Sequence, residues 1–159
     1  MTSSYDSIYS RFLMKIRDYD FASLSEPNAT EEMLNWLHSS LSEPYIFRIF
    51  DTTTFTADDE IAELSYTLIN PINEYHDQNF VEELLAYQMV VEWVMPRIHN
   101  TTLVNQMITN SKESKWYSQQ QHLGQLRELR DDAEYKVRSM LRDRGYISNS
   151  YLGKYNGKT

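Results

Sequence analysis

Four histidines, His38, His76, His99 and His122, are the first candidates for metal or acid–base chemistry in this chain of 159 residues. A zinc site on a helix needs two imidazoles four residues apart on one face, or thiolates beside them. No two of the four have that spacing and the chain has no cysteine, so no metal centre is expected. The Asp58-Asp59-Glu60 run supplies charge without the alternating aspartates, glycine and distal glutamate of a calcium loop. Glycine occurs only at 124, 145, 153 and 157, which cannot build a phosphate-cradling loop or a dinucleotide fingerprint. Serine, histidine and aspartate are all present, but no nucleophile elbow brings them together. The inventory therefore predicts no catalytic residue and no cofactor, and the chain reads as something other than an enzyme.

Tyrosine is the type in excess, at twelve residues. Its large apolar face and polar tip favour protein interfaces. Tyr146, Tyr151 and Tyr155 fall with Ile147, Leu152 and Lys154 in a C-terminal stretch without periodicity. That stretch reads either as an ordinary solvated tail or as a partner-binding segment that orders on contact and recovers its entropy through aromatic burial.

The elements that must position these residues are mostly helical. Ile8, Phe12, Leu13 and Ile16 share a face after Ser4, a candidate N-cap. Asn28 and Glu31 have capping-box spacing ahead of Met33, Leu34, Leu37 and Leu41, and that helix should stop before Pro44. Residues 45–50 and 61–69 are β-branched and aromatic. They read as a β-hairpin around a turn at 51–59, or as an irregular or helical insertion, because short apolar runs fit both.

Asn79 and Glu82 again have capping-box spacing, opening a central helix over 80–96 that is apolar almost all round. Pro96 should kink or end it. A small helix at 101–108 and a polar loop at 109–116 follow. The last helix runs from Ser118 to a stop at Gly145, with Leu126, Leu129, Ala133, Val137, Met140 and Leu141 on one stripe. Oppositely charged pairs four residues apart lace its other faces: Arg127 with Asp131, Arg130 with Glu134, Asp132 with Lys136, Glu134 with Arg138. The expectation is one mainly α domain over 1–145, a compact helical bundle with a long C-terminal helix, a hairpin inserted at 45–70, and an extended C-terminal tail over 146–159.

Charge is segregated along this plan. The formal net charge is −8, yet residues 18–92 hold sixteen carboxylates against one base, Arg48, while residues 93–159 hold eleven bases and six acids. An acidic balance argues against a surface built to bind nucleic acid. It reads either as a solvated face that confers solubility or as a surface that repels a polyanion, with the basic end meeting an acidic partner. Hydrophobic residues are 41% of the chain and include the tyrosines, so a thin core helped by neighbouring molecules is expected. No opening basic-then-apolar run predicts a signal peptide, and no stretch nears the ~20 apolar residues that span a bilayer.

Four segments resemble, in order, a family of small virion proteins from tailed bacteriophages of Gram-positive hosts. They are Tyr9-Ser-Arg-Phe-Leu-Met-Lys-Ile-Arg-Asp-Tyr-Asp20, Leu85-Ala-Tyr-Gln-Met-Val-Val-Glu-Trp-Val-Met-Pro96, Trp116-Tyr-Ser-Gln-Gln-Gln-His-Leu123 and Arg142-Asp-Arg-Gly-Tyr146. The likeness covers both ends and the middle, and is weakest over 42–78. It implies a head–tail connector, or neck adaptor: a helical bundle whose copies form a ring beneath the portal protein, usually repeating its twelve-fold symmetry, and whose C-terminal arm reaches that portal. It implies synthesis in the host cytoplasm, a place in the virion neck between head and tail, a contact with the next neck or tail protein, no membrane, and DNA passing without specific binding. On that reading Asp58, Asp59, Glu60 and Glu63 are candidates to face the channel, and Tyr146, Ile147, Tyr151, Leu152, Lys154 and Tyr155 to bind the portal or a neighbour. The alternatives are a stopper or tail-completion protein, which should carry more β-structure, and a non-virion acidic module that binds another protein.

Overall fold

Ser4 starts the first helix as its spacing predicts: its hydroxyl accepts from the Ser7 backbone N–H at 3.2 Å, capping α1 (Tyr5–Leu13). The computed structural model describes residues 1–16, 25–107 and 113–147. Its remaining helices are α2 (Glu26–Ser42), the single turn α3 (Pro44–Phe47), α4 (Glu74–Met107) and α5 (Glu113–Ile147). Three strands, β1 (Thr2–Ser4), β2 (Thr56–Asp58) and β3 (Glu63–Ser65), form an antiparallel sheet in the order β1-β3-β2. The expected mainly helical bundle with a long last helix is what the chain forms.

The start of α2 lies one turn before the predicted Asn28. Ser25 is the N-cap and Pro27 sits in the first turn, where a missing N–H costs nothing and the fixed φ suits a helix. Likewise α4 begins at Glu74 instead of Phe80. The Asn73 carboxamide oxygen accepts from the His76 N–H at 2.8 Å, and Glu74 and Asp77 place negative charge at the positive end of the helix dipole.

The hairpin lies within 45–70, but with other strands than the sequence predicts. Residues 45–50 do not extend. Pro44 presets a helical φ, and the Phe47 and Arg48 N–H groups close back on the Glu43 and Pro44 carbonyls. Their aromatic character serves packing instead: Phe50 lies 5.0 Å from Phe55 and 5.4 Å from Tyr66, ring centre to ring centre. Only Phe50 bridges, to Leu68. β2 comes from the threonine-rich stretch read as turn, pairing Thr56 with Ser65 and Asp58 with Glu63. β1 had no sequence signal; it is drawn into the sheet by Ser3 opposite Leu64 and by reciprocal bonds between Met1 and Tyr66.

α4 and α5 are the long axis of the molecule, antiparallel and each about 50 Å at 1.5 Å per residue. α1, α2 and α5 all pack on α4, which explains why Val81 to Val94 is apolar almost all round. α5 contributes the predicted stripe, with Leu126, Ala133, Val137 and Leu141 buried. Pro96, expected to kink or end the central helix, does not end it, since α4 runs on to Met107, and α5 passes the expected stop at Gly145 to end at Ile147. Of the four predicted side-chain pairs, Glu134 and Arg138 meet at 2.7 Å, whereas Arg130 turns to adjacent Asp131.

Candidate interaction surfaces

The acidic run predicted as a surface feature sits at the tip of the β2–β3 hairpin, held there by its own side chains. Asp58 Oδ1 accepts from the Glu60 and Ile61 N–H groups, and Ala62 takes a left-handed φ of 53° that turns the chain into β3. The Ala62 carbonyl accepts the Tyr5 N–H at 2.8 Å, tying the tip to the first turn of α1. Asp59 is the structural member of the run. Its Oδ1 accepts the Tyr5 hydroxyl at 2.8 Å and faces His38 Nε2 at 3.1 Å, joining hairpin, α1 and α2 at one oxygen.

These contacts set opposite protonation preferences. The Tyr5 hydroxyl, then His38, hold the Asp59 carboxyl below its ordinary value. Burial, reinforced by Asp59, raises Tyr5, so its hydroxyl is a fixed donor rather than a base. Glu60 and Ile61 are exposed at the apex, Ile61 at 65%. Glu63 is half-buried in β3.

The second surface is where α5 ends. Arg144 occupies the next position of the α5 stripe after Val137 and Leu141, so its guanidinium is buried against the start of α4. There it donates to Asp77 Oδ1 at 2.7 Å and to the Asn70 carbonyl at 2.8 Å, and lies over the Phe80 ring at 4.5 Å. Asp77 in turn accepts the Ile72 N–H with its other oxygen at 2.9 Å. One ion pair thus fixes the end of α5, the start of α4 and the 70–72 turn together. Around it Ile69, Ile72, Tyr75 and Tyr146 are exposed. A groove of about 180 Å³ opens beside them, between Arg48, Ile49, Ile69 and Leu141.

A third cluster locks α1 to α4. Arg11 reaches Glu82 at 3.0 Å and Asn79 at 2.6 Å, and Lys15 reaches Glu83 at 2.9 Å while lying over the Tyr87 ring. The capping-box pair Asn79 and Glu82, expected to start a helix, therefore works in its second and third turns as a receptor for Arg11. Comparison of the chain with protein-family models, curated proteins and solved structures finds no match.

The remaining candidates do not converge. His76, His99 and His122 are exposed on different stretches of α4 and α5, and no group of three or more metal-ligating side chains gathers among the described residues. Tyr146 and Ile147 are the last two residues of α5, Tyr146 exposed; Tyr151, Leu152, Lys154 and Tyr155 lie outside the described residues. Sequence reasoning missed Asp77 and Arg144. Their signal was present, since a charge falling on an apolar stripe must be buried with a partner or break the stripe.

Proposed function

We propose that this chain is a structural component of a phage virion: a head–tail connector whose copies form a ring beneath the portal and extend the DNA channel towards the tail. The observation that carries the reading is the Asp77–Arg144 anchor with its fringe of exposed Ile69, Ile72, Tyr75 and Tyr146. An arm that docks on a portal needs a rigid origin and apolar surface around it, and α5 ends in both. The likeness of the four sequence segments to the neck proteins supports the same role. The preponderance of helix over three strands of three residues favours an adaptor over a stopper.

The charge distribution fits a protein that surrounds DNA without holding it. Carboxylates crowding the middle of the chain remove the counterion-release gain that drives binding to phosphates. In the basic stretch beyond it, Arg130, Arg138, Arg142 and Arg144 meet carboxylates within the chain.

Truncation after Ile147 tests the arm. The expected result is an unchanged helical circular dichroism spectrum and thermal transition with loss of binding to the portal of the same phage. Undiminished portal binding by the truncated chain contradicts the role given to the tail.

A further inference from the structure

The base and the tip of the β-ribbon carry complementary, unsatisfied chemistry. At the base, Arg48 is the single basic residue between positions 18 and 92; it is exposed and its guanidinium meets no carboxylate among the described residues. It borders the groove with Ile49, Ile69 and Leu141, where Ile69 remains 59% exposed. At the tip, Glu60 is exposed without a side-chain partner and its neighbour Ile61 points an aliphatic side chain into solvent. Ile61 and Ile69 lie beyond opposite ends of β3, and Asp59 ties the tip to Tyr5 of α1 and His38 of α2, so one copy does not bring its own tip to its own groove.

We propose that the hairpin tip of one copy docks in the groove of a second copy, Ile61 entering between Ile49, Ile69 and Leu141 while Glu60 pairs with Arg48. Charge complementarity selects the occupant: an acidic turn with one exposed branched aliphatic residue, against a groove whose apolar wall of Ile49, Ile69 and Leu141 is edged by Arg48, with Asn70 and Arg144 also lining it towards the end of α5. Because the two patches are different surfaces, the contact is head-to-tail and propagates into a ring when its rotation closes. The inference deepens the connector reading by naming the surfaces that join neighbours. It moves Glu60 from the channel wall to the seam between subunits, and gives Ile61 a place there.

A contact of this size is weak singly, so it is best trapped. The cysteine-free chain allows Ile61→Cys and Ile69→Cys to be made separately, mixed at high concentration and oxidised gently. A mixture of Ile61→Cys with Tyr135→Cys, an exposed site on α5, reports random encounter. The expected result is disulfide-linked dimer forming about tenfold faster in the 61/69 mixture. Arg48→Glu should abolish the excess, and Glu60→Arg should restore it in combination, since like charges brought together are strongly disfavoured. Equal rates in the two mixtures, or an excess indifferent to Arg48→Glu, overturns the docking. A ring on the portal without selective crosslinking removes this contact and leaves the connector reading; selective crosslinking without portal binding does the reverse.

Discussion

Arg144 illustrates how a single side chain can set the register of two long helices. Sliding α5 by one turn, about 5.4 Å, would press its guanidinium against apolar side chains without a carboxylate. Removing either partner of the buried pair leaves the other charged and alone, so Asp77→Ala or Arg144→Ala should each lower unfolding free energy by about 3–5 kcal/mol. Urea denaturation of the intact chain measures it, and a loss below about 1 kcal/mol would show the pair to be solvated. The tyrosines and Asp59 predict a pH profile. Burial pushes Tyr9 and Tyr66 up to about 12 from an ordinary 10.0. A folded-state pKa raised in this way gives stability that is whole below pH 10 and fades as pH rises towards 12. Asp59 has the opposite sign: its depressed pKa contributes above the ordinary 3.8, and that contribution fades as pH falls below it. Stability measured across pH should therefore decline at both ends, less steeply on the alkaline side in Tyr9→Phe and on the acid side in Asp59→Asn. Unaltered slopes in both variants would contradict the assignments.

At the scale of elements, α4 is the test of what local chemistry permits. Pro96 has no N–H to give the Glu92 carbonyl, yet the helix continues, and the Arg97 guanidinium donates to the Trp93 carbonyl at 2.9 Å while covering that ring at 4.4 Å. Pro96 is exposed, so Pro96→Ala should restore a hydrogen bond without disturbing packing and raise stability by about 1–3 kcal/mol. No gain would mean that the helix is interrupted there in solution. Pro96 also marks where one of two sequence readings, an end of the helix, does not hold. A proline is a strong local signal, but packing along a 34-residue helix outweighs it. Periodicity located α1, α2 and the stripe of α5 because one buried face is enough to specify them. Residues 45–50 misled, since their aromatic and β-branched types suit both a strand and a turn of helix packed in an aromatic cluster, and Pro44 decides for the turn. β1 was illegible because Thr2, Ser3 and Ser4 pair through backbone groups that carry no side-chain pattern. The site residues divide the same way: the acidic run could be read as charge, whereas the capture of Asp59 by Tyr5 and His38 depends on contacts 54 and 21 residues away.

The molecule is a long helical hairpin of α4 and α5 with α1, α2 and a small sheet packed on it, its acidic tip held by α1 and α2 and the end of α5 anchored to the start of α4. The proposed ring would join two unlike surfaces of this shape, as head-to-tail closure requires. Its buried residues form one core from Tyr5 through Leu141, and the tyrosines of the described residues are divided between that core and exposed positions such as Tyr75, Tyr135 and Tyr146. Native mass spectrometry of the purified chain, alone and mixed with the portal of the same phage, tests the connector role most directly. A stoichiometric ring of this chain on the portal, matching the portal's own symmetry, is the predicted result. A chain that stays monomeric and ignores the portal at every ratio would contradict it.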